Sequence, residues 1–452
     1  MKRFGRGRMI PGVLIQLGLS LMLCAQGPSG NSSPTALAAS TATAFAGKLK
    51  FVVILSRHGV RSPTWPQARL NAFSAQPWPT WSVPPGYLTD RGYELMKRFG
   101  SFDRAQIAKS GLIAADGCAD SSGTFIWADT DQRTRESGRA LAEGMFPDCP
   151  PTVHGLAAGH SDALFHPAAT EASSAQADAA FAELEAKSEE ASDPQQRAVL
   201  QEMVRVLAGC APNVACSSAH VPSIQLTDAP SEPVRGKGDH VIDFEGPLPQ
   251  ASSFAEDFLL EYAEGMPESQ VGWGHVNEPQ VRRFLTLHSD YFDLMHRTPA
   301  LARSQSSNML YHITRTLEQG MKGQLVADAL GPTGSKVVVL VGHDTNIAGV
   351  AALLGLHWTL DGRSDDTPPG TELAFELWQS ERGVWSVQVT VSMQTLRQLR
   401  DMKELTVDAP PPRETLTLQG CGSEGSECSW GVFQELASAA LDRNSVFPSE
   451  HD

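Results

Sequence analysis

Positive charge is scarce in this chain. Of 452 residues, 36 are Lys or Arg against 51 Asp or Glu, a formal charge of −15 at pH 7. A nucleic-acid backbone calls for a basic footprint, so nucleic acid is excluded as a partner. A few clustered arginines can still hold a small anion inside an acidic shell. No C-x-x-C pair occurs and the Cys and His spacings match no zinc site, so no metal is expected. No repeat of fixed period is present, which speaks against solenoids and propellers. At 19% charged and 41% hydrophobic residues the chain can bury a large core. Wholesale disorder, a collagen-like fibre and a polytopic membrane protein are therefore poor descriptions, and the length suggests about two or three domains.

Long apolar runs are also missing, apart from one at the start. Lys2, Arg3, Arg6 and Arg8 precede a stretch from Met9 to Ala25 that is apolar except for Pro11, Gly12, Gln16 and Gly18. A basic start and a short apolar run broken by Pro and Gly have the layout of a cleaved secretory signal, residues 1–27. Its removal takes the charge from −15 to −19. The expectation is a periplasmic or secreted protein with no stable membrane association after cleavage. With Cys24 in the signal, Cys118, Cys149, Cys210, Cys216, Cys421 and Cys428 remain. An even count in an exported chain suggests disulfides, and of the 15 possible connectivities the grouping in sequence favours 118 with 149, 210 with 216, and 421 with 428.

After a small, polar lead-in at 28–47, three apolar runs have the length and branching of buried parallel strands: Lys50–Ser56, Thr124–Ala128 and Lys336–Val341. Helical patterns follow the second, over Arg133–Met145, and the third, over Ile347–Leu356. Strand, polar turn and helix in succession predict an α/β fold with a mainly parallel sheet. The middle of the chain differs. Ala168–Leu207, Ser252–Gly265 and Glu278–His296 read as helices, and Glu372–Trp378 and Val384–Met393 as paired strands. The predicted organisation is an α/β domain over 48–165 and 270–435 with an inserted, mainly helical cap over 166–269.

Open α/β sheets bind ligands outside the carboxyl ends of their strands. The first strand runs into Arg57-His58-Gly59-Val60-Arg61-Ser62-Pro63-Thr64, the second into Asp129-Thr130-Asp131-Gln132-Arg133, and the third into Gly342-His343-Asp344-Thr345-Asn346. Guanidinium forks match phosphate oxygens, a neutral imidazole can attack phosphorus, and a carboxylic acid can protonate the departing oxygen. Flanking cations disfavour the imidazolium, so His58 is expected to stay a free nucleophile even in mild acid. Taken singly these residues are commonplace: a strand-end His is more often structural, and an Arg at a helix start is usually solvated. Their combination at three strand ends is what points to phosphoryl transfer.

The octapeptide with Gly342–Asn346 resembles the histidine acid phosphatase family, the branch of the histidine phosphatase superfamily that contains bacterial periplasmic phytases. Trp78–Trp81, Leu88–Gly92, Asp129–Gly138, Gly272–Gly274, Arg297–Pro299 and Thr367–Leu373 extend the resemblance over most of 48–430. It implies His58 as nucleophile, Asp344 as proton donor, Arg57, Arg61, Arg133 and His343 as phosphate ligands, and Thr64 in the same pocket. It also implies three disulfides in the neighbour pairing, a helical cap, no cofactor and a small phosphate monoester as substrate; the sequence does not give the oligomeric state, and a monomer is favoured. Gly59 and Thr64 are similar to the phytase form of the motif, where glucose-1-phosphatases carry Asn and Leu. Trp65 departs from the Lys common in enteric phytases, so a glucose-1-phosphatase or broad acid phosphatase stays open as an alternative. A phosphomutase would share the Arg-His turn but acts inside cells, and an inactive phosphate-binding module would have lost His58 or Asp344.

Overall fold

The strand that opens the fold, β1 (Gly47–Arg57), is buried without interruption from Phe51 to Arg57. Phe51, Val53 and Leu55 pack on one side of the sheet, and Val52 and Ile54 on the other. A strand covered on both faces has no reason to alternate polar and apolar residues, which explains its continuous apolar sequence. The computed structural model describes residues 47–167, 171–190, 194–213, 224, 226, 231–236, 242–421 and 427–448. The signal expected at 1–27 and almost all of the 28–47 lead-in therefore lie outside the described residues.

Seven further strands complete the sheet: β2 (Thr124–Ala128), β3 (Val153–His154), β4 (Val337–Gly342), β5 (Glu372–Ser380), β6 (Trp385–Ser392), β7 (Arg413–Leu416) and β8 (Cys428–Ser429). Their order is β7-β6-β5-β1-β4-β2-β3, with β8 also paired to β6. Pairing is parallel along β1, β4, β2 and β3 and antiparallel from β1 through β5 and β6 to β7 and β8. The sheet is thus mixed, with a parallel core. The expected pairing of the late strands holds, as an antiparallel β5–β6 ribbon. In the parallel register Ser56, Val341 and Ala128 lie side by side, so β1, β4 and β2 end at one level.

Eleven α-helices are described: α1 (Gln67–Ala72), α2 (Asp90–Lys109), α3 (Gln132–Met145), α4 (Glu171–Glu190), α5 (Pro194–Leu207), α6 (Pro247–Ala263), α7 (Glu278–Met295), α8 (Pro299–Lys322), α9 (Asp344–Leu353), α10 (Leu396–Asp401) and α11 (Trp430–Ala440). Helices α2 and α3 cover one face of the sheet through Met96, Phe99, Phe102, Leu141 and Met145. Helices α8, α9 and α11 cover the other through Leu310, Ile313, Val350 and Phe433. A separate core lies among α4, α5, α6 and α7, where Trp78 stacks on Phe254 and Phe258 at 5.6 and 5.2 Å. That core also takes in Leu70 and Phe73 from α1 and its end, and Leu285 and Leu287 from α7. The cap over 166–269 stays our proposed division within a unit that spans Ala46–Asp452.

Two disulfides are described, Cys118–Cys149 and Cys421–Cys428, with Cα atoms 5.9 and 4.9 Å apart. Cys210 is also disulfide-bonded, while its expected partner Cys216 lies outside the described residues.

Four buried carboxyl groups tie stability to pH. Burial pushes Asp257 up to about 8. It raises Glu372 to about 7, where the side chain shares a hydrogen bond with Asp103, itself raised by burial. Glu261 is raised by burial as well, although it accepts from Gly272 N at 2.8 Å. Between about pH 4 and these raised values the groups hold protons in the fold that the unfolded chain has already lost. Their contribution is complete below that pH and is lost as pH climbs through the folded values. An ordinary imidazole is half-titrated near pH 6.5 and essentially neutral by about pH 7.5, so from there up through the Asp257 value of about 8 the carboxyls dominate. The melting temperature should fall across this window, and Asp257→Asn should flatten the fall; a flat profile in the parent protein would contradict the assignment.

Candidate active site

The level ends of β1, β4 and β2 deliver His58, His343 and Asp129 side by side. Backbone bonds hold the tips together: His58 N donates to Gly342 O at 3.0 Å and Asp129 N to Val341 O at 3.0 Å. A glycine is needed next to His58 because a Cβ at Gly59 would lie 2.7 Å from Met96 Cγ and 2.9 Å from Gly92 O on α2. The His58 ring is 2% exposed, with Nδ1 2.8 Å from Gly59 O. A neutral ring in this pose donates from Nδ1–H and keeps its lone pair on Nε2. Burial, and then the charges of Arg133, Arg57 and Arg61, drive the His58 pKa well below the usual imidazole value.

Three guanidiniums surround it. Arg57, 1% exposed, donates to Thr367 O, pairs with Glu256, and lies 2.8 Å from Asp344 Oδ2. Arg61 Nη2 lies 2.8 Å from Glu256 Oε2. Arg133 pairs with Asp131 at 2.6 Å and reaches His343 Nδ1 at 3.5 Å. Among the described residues the buried Nε atoms of Arg57, Arg61 and Arg133 have no acceptor, leaving one spare donor on each cation. An anion with several oxygens suits such a set.

His343 caps α9, its N–H donating to Asn346 Oδ1 at 2.9 Å, and its ring centre is 5.6 Å from that of His58. Nε2 lies 2.6 Å from Asp129 Oδ2, so a buried carboxylate fixes the ring. Asp344, the first residue of α9, accepts from Thr345 N at 2.8 Å. Burial raises the Asp344 pKa, but the Arg57 charge outweighs it and holds the carboxyl below its ordinary value. Thr64 is exposed at the rim: its Cγ2 and Arg133 Nη1 both flank Gly86, 3.7 Å from where a Cβ would stand. The structure thus gathers all seven residues singled out in the sequence, with six in the buried or half-buried crevice and Thr64 at its mouth.

Two groups come from outside the motifs. Glu256, on α6, bridges Arg57 and Arg61. Burial penalises its charge, yet the two arginines more than offset that and leave its pKa depressed. His166 approaches Asp129 Oδ2 at 2.9 Å. Neither lies in a strand-end motif, and nothing in their local sequence ties them to this crevice. Nor does spacing show that Asp129, His166 and His343 form a cluster of possible metal ligands, which they do.

Residues 48–392 match the family model of the histidine phosphatase superfamily, branch 2. The chain belongs to this superfamily. It is a histidine acid phosphatase, similar to phytase AppA of Escherichia coli with 37% identity, over 87% of this chain and 92% of that protein. Glucose-1-phosphatase of Salmonella typhimurium is 29% identical over the same shares. The Hafnia alvei phytase in complex with myo-inositol hexakis sulphate superposes with a TM-score of 0.76 at 32% identity, over 89% of this chain and 99% of that one.

Glu256 sets an expectation for this phosphatase. Its carboxylate competes with any anion for Arg57 and Arg61, and at the effective dielectric of such sites a charge a few ångströms away is worth one to several kcal/mol. Glu256→Gln should therefore tighten competitive inhibition by inorganic phosphate, by about tenfold or more. Weaker inhibition would mean that Glu256 chiefly aligns the arginines.

Proposed function

We propose that the protein is an exported phytase-like phosphomonoesterase working through a phosphohistidine. The observation that carries this is an imidazole kept neutral by burial and by three guanidiniums, with Nδ1 committed to Gly59 O. Nε2 attacks phosphorus, an N–P bond forms, and the ester P–O bond breaks as its oxygen takes a proton from Asp344. Water then attacks the phosphohistidine, returns a proton to Asp344, and releases inorganic phosphate and neutral His58. Arg57, Arg61 and Arg133 carry the charge on the transferring oxygens, with His343 beside them. In the resting arrangement Arg57 favours the Asp344 carboxylate. A bound phosphate dianion engages Arg57 and adds negative charge nearby, which raises the Asp344 pKa towards the protonated form that the first step requires.

Several observations favour inositol phosphate among substrates. Identity is higher to a phytase than to a glucose-1-phosphatase. Gly59 leaves no room for the larger residue of the glucose-1-phosphatase motif unless α2 shifts. Trp65 lacks the cation common at that position, but Arg69 lies 3.6 Å over its ring, so positive charge persists at this rim. Export rests on the signal-like start and fits the disulfides. Phosphate release at acid pH from phytate, glucose 1-phosphate and an aryl phosphate decides the substrate. Phytate should be turned over with the highest kcat/KM, and a clear preference for glucose 1-phosphate would support the alternative.

Asp344 offers a sharper test of mechanism. If it protonates the leaving oxygen, its importance grows with the basicity of that group. Asp344→Asn should slow inositol or sugar phosphates by about 100- to 10,000-fold and an aryl phosphate far less. Equal losses, with weaker phosphate inhibition, would make Asp344 a binding residue.

A further inference from the structure

Asp129 is 1% exposed, and its two oxygens are treated very differently. Oδ2 accepts from His343 Nε2 at 2.6 Å and from His166 Nε2 at 2.9 Å. Oδ1 is buried and has no hydrogen-bond partner among the described residues. Leaving a dry carboxylate oxygen unpaired is costly, and hydrogen bonding within the cluster does not relieve it. The ligand atoms of the three side chains lie within 4.8 Å of one another.

We propose that Asp129, His166 and His343 form a site for a divalent transition-metal ion of the Zn2+ type, and that the ion inhibits the enzyme. Two imidazole nitrogens and one carboxylate are the donor set of open zinc sites, and imidazole selects zinc, copper or nickel over magnesium or calcium. Coordination through both carboxylate oxygens would satisfy Oδ1. Asp131 Oδ2, 3.9 Å from His343 Nε2, is already held by Arg133 at 2.6 Å. With four donor atoms from the three side chains, a fifth position is left to water or a phosphate oxygen. Asp129 and His343 sit on rigid strand ends, while His166 lies beyond β3 with its side chain 41% exposed, so an ion enters from solvent. As the ion binds, each neutral ring gives up its Nε2–H and takes up a proton at Nδ1 from solvent, so both remain neutral ligands and no net proton is released. Zinc stands about 2.0 to 2.2 Å from such donors, so both rings must draw back from Asp129 Oδ2. For His343 this means leaving the position in which Nδ1 meets Arg133, beside His58. Inhibition results from that displacement and is reversible by a chelator; turnover itself needs no ion at this place.

The test is a calorimetric titration of the intact protein with Zn2+, without substrate, for wild type and His166→Asn. Wild type should bind one ion tightly, and the variant should bind it about tenfold or more weakly, as expected when a ligand is lost. In parallel, Zn2+ should inhibit aryl phosphate hydrolysis by wild type at concentrations that spare the variant, each compared with its own zinc-free rate. An aryl ester avoids the chelation of zinc by inositol phosphates. X-ray absorption at the zinc edge of the wild-type complex should show two imidazoles, a readout independent of how well the variant folds. Equal zinc affinity in both proteins, no stoichiometric binding, or a zinc environment without imidazole would each overturn the proposal. Because binding is measured without turnover, its failure is distinct from any failure of the phosphatase mechanism.

Discussion

Burial of positive charge around one imidazole is the constraint on which this structure turns. Burial makes protonation of His58 unfavourable, and the charges of Arg133, Arg57 and Arg61 add to the effect. Arginine suits the task because it stays charged when buried, which lysine does not. The same burial carries a cost, since an uncompensated interior cation is strongly destabilising. Glu256 and Asp344 on Arg57, Glu256 on Arg61, and Asp131 on Arg133 offset it. The crevice is therefore nearly balanced at rest, and a phosphate must compete with internal carboxylates for the arginines. One of those carboxylates, Asp344, is the proton donor of the proposed mechanism, a role that requires it to lose its hold on Arg57.

The rest of the fold keeps this arrangement at one level. Parallel pairing of β1, β4 and β2 brings His58, His343 and Asp129 into line. Packing on both sheet faces makes a slip of register costly, because it would turn apolar side chains out of two cores. From the other side, α6 contributes Glu256 while its apolar residues Phe254 and Phe258 anchor it among the helices. The motif loops thus depend on a helix with which they share no sequence signal.

Legibility in the sequence depends on how local the cause of each feature is. The apolar run predicted for β2 matches the residues that strand occupies, and those for β1 and β4 agree within a few residues, because a strand buried on both faces is a visible apolar run. The helices after β2 and β4 are legible from their turns. Helices α2 and α8 have no counterpart among the predicted helices, although Thr89 caps the first and Pro299 opens the second, both ordinary start signals. Seven candidate site residues are legible because they sit in strand-end motifs. Glu256 and His166 are not, since their placement depends on contacts across 199 and 37 residues of chain respectively. The antiparallel half of the sheet is visible only as a hairpin, because β7 and β8 are short edge additions with little pattern of their own.

Direct capture of the covalent intermediate tests the central claim, that the crevice exists to keep His58 a free nucleophile. Wild-type enzyme mixed with phosphorus-labelled substrate at mildly acidic pH and quenched within milliseconds into base should carry base-stable, acid-labile label on the peptide containing His58. This label is expected in wild type and absent in His58→Ala, with turnover lost in parallel. Full labelling of His58→Ala, or rapid wild-type turnover with label on a different residue, would contradict it.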